Sequence, residues 1–412
     1  MAIANVVIGG DRVVIGGDRV VIFVPDTVIA ELPWRPNEGA VNVLRYTTDV
    51  IRARDGTEHR RALLTKPRRT LQYQVIMCDD DLKQFRAMLR NDTDQTWKVP
   101  LWHECFVTTA DIASGTNTAT ADFTLSDLAT GQLVYIQSKD QLTGEFQTVG
   151  SVTSTTLTLQ SGSWENAYSA GARIFPAVRA RVADNVSRRI IAPGYSIASL
   201  DLEVTDFLSL GGAGATLPLY QGLPILSEEP RDPGVEESAF RGLEIADFGG
   251  VVSVFTGAPF AELTRPLAYQ LDTQADRQRF KLFFDTVLGR REPFYVATWQ
   301  DDLNTTSDII GGELNIEIDK TADFQTRWFN LGNNHKDLQF DTSAGVVQRR
   351  LSNVTDNGNT LTLTLDAPLP GAPITVAKIS FLELVRLASD EIRYTHFDSY
   401  SLVEIGVQTI EQ

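Results

Sequence analysis

The chain has 412 residues, 42% hydrophobic and 22% charged, which is enough apolar content for a packed core and excludes a disordered, collagenous or disulfide-stapled chain. Its 37 Lys and Arg against 53 Asp and Glu leave a net charge of −16, which repels phosphate backbones and argues against nucleic-acid binding. Two cysteines, Cys78 and Cys105, are too few for a four-cysteine metal site or an iron–sulfur cage; they read as buried thiols, with a single disulfide as the alternative.

The N-terminus carries a repeat: Val6 to Arg12 recurs as Val13 to Arg19, and Val20-Val21-Ile22 begins a third copy. Val-Val-Ile is strand material and Gly-Gly-Asp is turn material, so residues 1–24 read as a β arm of short hairpin links. The Gly-Gly-Asp breaks also interrupt any signal-like apolar stretch, and no run is long enough to span a membrane. The chain is expected to be soluble or part of a soluble assembly.

Strands are predicted over Val41 to Ala53, Leu71 to Met77, Gln132 to Gln137, Thr155 to Gln160, Ser196 to Val204, Val251 to Phe255, Phe294 to Trp299, Leu361 to Leu365 and Ser399 to Val407. Several alternate with period two, as a sheet with one buried face requires. Two helices stand out. Asp79-Asp80-Asp81 opens the first, with Leu82, Phe85 and Leu89 on one face. Thr273 and Asp276 open the second in capping-box fashion, Phe280, Phe283, Phe284, Val287 and Leu288 line it, and Gly289 stops it.

The helices sit inside a longer repeat. Arg69-Thr70-Leu71-Gln72-Tyr73 precedes the first and Arg265-Pro266-Leu267-Ala268-Tyr269 the second. Tyr73 and Tyr269 are 196 positions apart, Phe85 and Phe280 195, and Trp102 and Trp299 197. Thr155 to Leu159 answers Asn359 to Leu363, Arg179 to Asp184 answers Leu384 to Ser389, and Ser196 to Val204 answers Ser399 to Val407, each at an offset near 200. The expected fold is therefore mainly β, with two tandem copies of a β-barrel or sandwich module. Each module has one helix and an inserted small β domain. The expected domains are the 1–24 arm, a first core over 25–106 plus 178–210, its insert 107–177, a linker 211–234, a second core over 235–302 plus 379–412, and its insert 303–378.

Enzyme signals are weak. The four histidines, His59, His103, His335 and His396, fall in no HExxH or Gly-x-Ser-x-Gly pattern. His103-Glu104-Cys105 offers metal-ligand types but reads as a strand end. Gly211-Gly212-Ala213-Gly214 lacks the Lys and following helix of a phosphate loop. The adjacent acids Asp301-Asp302, Glu228-Glu229 and Glu236-Glu237 read as solvated loops, because neighbours on a strand point to opposite faces. Trp102 and Trp299 occupy equivalent positions and read as core, whereas Trp164 and Trp328, in the inserts, are candidate exposed contacts. No catalytic, cofactor or metal residue is predicted.

Charge gives a sharper signal. Arg45 to Arg69 holds eight basic residues and three acids, while Glu236 to Arg265 holds five acids and two bases. Matching segments of the two copies thus carry opposite charge. Beside neutral drift of solvated faces stands a docking reading, in which Arg45, Arg52, Arg54, Arg60 and Arg61 of one subunit meet Glu236, Glu237, Glu244 and Asp247 of the next.

Arg68 to Tyr73, the Asp-rich helix with Phe85, and Trp97 to Glu104 resemble the core of distal tail (Dit-like) and related minor tail-tip ring proteins of long-tailed bacteriophages and gene transfer agents. So do Arg265 to Tyr269, the helix with Phe280, Pro293-Phe294-Tyr295 and Trp299. The resemblance implies a structural, non-enzymatic virion protein at the tail tip, passing through the host cytoplasm during assembly. It would form a ring between the tail tube protein and a central hub or fibre protein. Six like modules from three subunits imply a homotrimer with pseudo-sixfold symmetry. No cofactor is implied, since the extra cysteines with which some lambda-like tip proteins hold an iron–sulfur cluster are lacking. Nor is membrane insertion or sequence-specific nucleic-acid contact. Two rivals are a carbohydrate-binding or carbohydrate-cleaving tail component and a tube or head–tail connector protein.

Overall fold

The structure, a computed structural model, describes the chain apart from residues 1–4, 9–10, 17–18, 23–27, 38, 54–56, 92–95, 140–143, 184–185, 207–214, 232–236, 241–242, 248–251, 257–260, 307–308, 310, 321–323, 331–334, 371–375 and 411–412. It is mainly β, built of large antiparallel sheets, and none closes into a barrel. The N-terminal repeat forms a three-stranded antiparallel sheet of β1 (Asn5–Ile8), β2 (Asp11–Gly16) and β3 (Arg19–Ile22), with Val6 opposite Val13 and Val14 opposite Val21.

There follow β4 (Val28–Glu31), β5 (Ala40–Arg45), and a hairpin of β6 (Thr48–Arg52) and β7 (Glu58–Ala62). Then come β8 (Arg68–Cys78), α1 (Asp79–Asn91) and β9 (Thr96–Pro100). The first insert holds β10 (Phe106–Val107), β11 (Thr118–Thr120), β12 (Leu133–Gln137), β13 (Gly144–Val152) and β14 (Thr156–Leu159). The chain returns through β15 (Arg173–Val182), β16 (Ser187–Ala192) and β17 (Tyr195–Val204).

The second half runs in the same order. After β18 (Leu219–Tyr220) and β19 (Leu223–Leu226) come β20 (Ser238–Phe240) and a hairpin of β21 (Leu243–Asp247) and β22 (Val252–Thr256). β23 (Glu262–Leu271), α2 (Gln274–Val287) and β24 (Phe294–Ala297) lead to the second insert. That insert holds β25 (Asn315–Asp319), one turn of wide helix (Phe324–Phe329), β26 (Asp337–Thr342), β27 (Gly345–Asp356) and β28 (Thr360–Leu365). β29 (Val376–Leu387), β30 (Glu391–His396) and β31 (Ser401–Thr409) close the chain.

Strand partners correspond between the halves. β4 lies parallel to β9 and β19 parallel to β24. β15 joins β9 to β17, and β29 joins β24 to β31. The closing strand bonds to the strand before the helix in both, Leu200 opposite Tyr73 and Val403 opposite Tyr269. The insert ladders repeat too: a bulge falls between Val149 and Ser151 in β13 and between Leu351 and Asn353 in β27. β15 and β29 each run from insert into core, so each insert shares a strand with its core sheet.

The period-two pattern explains the cores. In β8, Arg69, Leu71, Tyr73, Val75 and Met77 are buried; in β23, Arg265, Leu267, Tyr269 and Leu271 are. α2 begins with the capping box of Thr273 and Asp276 and ends with Leu288 and Gly289 at positive φ. Phe280, Phe283, Phe284 and Val287 are buried against the sheet. On α1, Phe85 and Met88 are buried, while Leu82 and Leu89 are half-buried, so the inward face turns one residue from the predicted one.

Contacts divide the chain into two units: residues 1–40, 70–124 and 128–206, and residues 41–69, 125–127 and 207–412. The segment 41–69, which precedes the first helix in sequence, thus packs with the second unit.

Candidate functional site

A cavity of about 290 Å³ lies in the second unit. Three pieces of backbone build it. β23 alternates its side chains and turns Leu263, Arg265 and Leu267 to one side. β29 supplies Phe381 and Glu383. The loop after β24 supplies Thr298, Trp299, Gln300 and Asp302. The predicted strand through Trp299 ends at Ala297, because Trp299 takes a φ of 59° and turns the chain.

The loop is pinned to β29. Thr298 N–H donates to Phe381 O at 2.9 Å, Phe381 N–H to Asp302 Oδ2 at 2.8 Å, and Ser380 Oγ to Gln300 O at 2.6 Å. Thr298 Oγ1 also donates to Asp302. Burial pushes the Asp302 carboxyl up, against these hydrogen bonds and the charge of Arg265. Glu383 is 8% exposed and pairs with buried Arg265, which also lies 3.7 Å from Glu237. Burial raises the Glu383 carboxyl most; Arg265 opposes this, and Glu237 and Asp302 add to it. His335 Nε2 stands 3.8 Å from Glu383 Oε1, its ring edge-on to Phe381 at 4.8 Å. Lys378 lies 5.6 Å over the Trp299 ring and donates to Trp299 O at 3.3 Å.

One buried and one half-buried acid, both with raised pKa values, beside an aromatic wall are what a proton-transfer or sugar site needs. Here each acid is already held, Glu383 by Arg265 and Asp302 by Thr298 and the Phe381 amide, so the arrangement fixes the loop to the sheet. Sequence reasoning assigned the adjacent Asp301-Asp302 to a solvated loop; Asp301 is exposed, but Asp302 is half-buried and bonded. Glu383 is inconspicuous in sequence, since Phe381-Leu382-Glu383-Leu384-Val385 reads as an ordinary buried strand.

The charged segments meet inside the second unit. Arg52 pairs with Glu262 across the two segments. Glu58 accepts from Arg386 Nε and Nη2 at 2.8 Å each. Arg60 is half-buried, 3.9 Å from Glu58, and Arg45 and Arg61 are exposed. Exposed Glu237 lies beside Arg265, and Glu244 and Asp247 fall on β21. Arg54 and Glu236 lie outside the described residues, as do the side chains of Glu244, Asp247 and Trp328.

Trp164 corrects an expectation. It is fully buried in the first insert, its Nε1 donating to Thr118 O at 3.3 Å, because an insert of this size needs a large aromatic to fill its own core. Trp102 and Trp299, expected in the core, are half-buried, with a cation over each ring: Arg35 at 5.5 Å from Trp102 and Lys378 at 5.6 Å from Trp299. Cys78 is exposed rather than buried, at the end of β8; Cys105 is half-buried, and both thiols are free. Among the described residues no group of three or more His, Cys, Asp and Glu is placed to hold a metal ion, and no helix is long and apolar enough to cross a membrane. No protein-family model matches the chain, and no curated protein matches it.

Proposed function

We propose that this chain is a structural virion protein that forms a ring at the distal end of a non-contractile phage tail, between the tail tube and the central hub or fibres. The observation that carries this reading is the doubled pairing scheme, down to the bulges in β13 and β27. We read the two units as copies of one module. The residues that resemble tail-tip ring proteins fall on β8–α1–β9 in one unit and β23–α2–β24 in the other. Repeated modules in a closed ring need complementary surfaces rather than a reaction centre, and the exposed Arg45, Arg61 and Glu237 are the members of the charged segments that stand at the surface for one. Electron microscopy of tails labelled with an antibody to the chain tests the reading. Label at the distal tip is expected; label along the tube or at the head would replace it with the connector reading.

The cavity beside Trp299, Asp302 and Glu383 favours a second reading, a carbohydrate-binding or carbohydrate-cleaving tail component. A glycan panel separates the two. Tight, saturable binding lost in Trp299→Ala would establish the second reading, and no binding is expected under the first.

A further inference from the structure

Residues 41–69 group with the second unit, although the chain on either side, up to Ala40 and from Thr70, groups with the first. The docking of this segment is specific. Leu44 and Tyr46 are fully buried in the core that holds Phe280, Phe284 and Tyr394. The Tyr46 ring lies 5.2 Å from that of Phe284, and its hydroxyl donates to Asp285 at 2.7 Å. β5 pairs with β30. Just beyond, Tyr46 N–H donates to Asp390 O at 2.9 Å and Thr48 N–H to Asp390 Oδ2 at 2.8 Å.

The second half contains the same segment. β20 and the β21–β22 hairpin precede β23 as β5 and β6–β7 precede β8. At the 196-residue offset of Tyr73 and Tyr269, Leu44 corresponds to Phe240. Leu44 is 0% exposed; Phe240 is 64% exposed. β20 bonds to β23, and its other edge has no partner strand among the described residues.

The receiving surface is repeated as well. In the first unit β16 stands to β17 as β30 stands to β31. Its outer edge carries no strand among the described residues, and Ile190 and Ile191 are 66% and 46% exposed along it. Bare strand edges with apolar side chains are ready templates for strand addition, and folded proteins ordinarily cover them. Leu89 on α1, 195 positions before Phe284, is half-buried where Phe284 is fully covered. Charge agrees: β16 brings Arg188 and Arg189, while the second segment brings Glu237, Glu244 and Asp247.

We propose that β20 and the β21–β22 hairpin of one copy add to the β16 edge and the α1 face of the next copy. This repeats between chains the docking that residues 41–69 make within one. The bond is head to tail, so each copy offers one donor segment and one acceptor edge, and a chain of such bonds closes into a ring or runs on as a filament. The proposal rests on the ring reading for closure alone.

A benzoylphenylalanine photo-cross-linker in place of Phe240, in the full chain with half the copies isotope-labelled, tests the contact at concentrations where assemblies are seen. Adducts are expected between copies, on residues 79–91 or 187–192. Adducts within one chain, adducts on the second unit, or none would overturn the proposal. Arg188→Glu with Arg189→Glu should lower the adduct yield by roughly tenfold, because like charges then face each other. Glu244→Arg with Asp247→Arg on the donor copies should restore it; no restoration counts against the proposal. Closed rings at the tail tip with adducts elsewhere would remove this contact and leave the ring reading. Adducts at the expected strands in an open filament would keep the contact and remove the ring.

Discussion

Phe280 is 1% exposed, its ring 5.0 Å from Tyr269 and 6.2 Å from Phe283. Phe280→Ala leaves a cavity that the flanking rings cannot fill and should cost about 3–5 kcal/mol in urea unfolding. A loss under ~1 kcal/mol would mean that the surroundings collapse onto the site. Glu58 tests charge rather than volume. Burial raises its carboxyl, but the hydrogen bonds and charge of Arg386, with Arg60 and Arg52 adding, outweigh burial and hold it below the ordinary 4.5. A lowered carboxyl stabilises the fold above the unfolded value and loses that stabilisation as pH falls through the folded one. Melting temperature should therefore drop on acidification below about pH 4.5, and Glu58→Gln should flatten that part of the profile. At neutral pH the same variant leaves Arg386, 6% exposed, without its carboxylate and should lose about 3–5 kcal/mol. Glu383 works in the opposite sense. Its raised carboxyl favours the protonated fold, so its contribution is present at low pH and is lost as pH rises through the folded value.

At the level of elements, α2 is the best-written piece of the chain. Thr273 Oγ1 accepts from Asp276 N–H at 3.1 Å, and Asp276 Oδ2 accepts from Thr273 N–H at 3.1 Å. Thr273→Ala should cost about 1 kcal/mol, read by thermal unfolding. At the other end Gly289 has a φ of 69°, and a Cβ there would meet Asp390 Oδ1 at 2.5 Å and Tyr46 Cβ at 3.0 Å. Gly289→Ala should therefore cost more than about 1 kcal/mol. It should also speed amide exchange in residues 44–48, because it strikes the docked segment. Cap, apolar face and stop were legible because each is a local rule of spacing. So were the alternating strands Leu71 to Met77 and Ser196 to Val204. The docking of residues 41–69 on the second unit was not legible. Val41 to Ala53 reads as one strand before the first helix, and nothing in its spacing says which sheet completes it. Trp164 failed for a related reason: composition shows an aromatic in a Ser- and Thr-rich insert, but not that the insert has a core of its own. Glu383 was hidden because its partner Arg265 lies 118 positions away.

For the whole molecule, the proposed ring ties the number of copies to the number of units in one chain. One chain holds two units with corresponding strand partners; residues 41–69 find an acceptor, β30, within the chain, whereas β20 has no strand partner but β23 among the described residues. On the proposed strand addition the second segment, with Phe240 exposed, takes its acceptor from another copy, the β16 edge. Identical head-to-tail bonds of this kind use every donor and acceptor only when the assembly closes. Around the proposed ring unlike units would alternate, and the acids of the second segment facing Arg188 and Arg189 of β16 would fix the order, since like charges brought together repel. A sixfold tail tube, as the tail-tip resemblance implies, is matched by six units, hence three chains, while the threefold symmetry of the trimer suits a central hub or fibre. The expected outcome of a tail-tip reconstruction is three copies per level with six similar lobes. Six copies, or one, would overturn the trimer. Arg52→Glu checks the same geometry from inside one chain. It breaks the Arg52–Glu262 pair, a partly exposed contact, and should cost no more than about 1 kcal/mol of fold stability. Ring yield should be unchanged, because the pair lies inside one unit of one chain; a fall in yield with the monomer still folded would mean that Arg52 also takes part in the contact between copies.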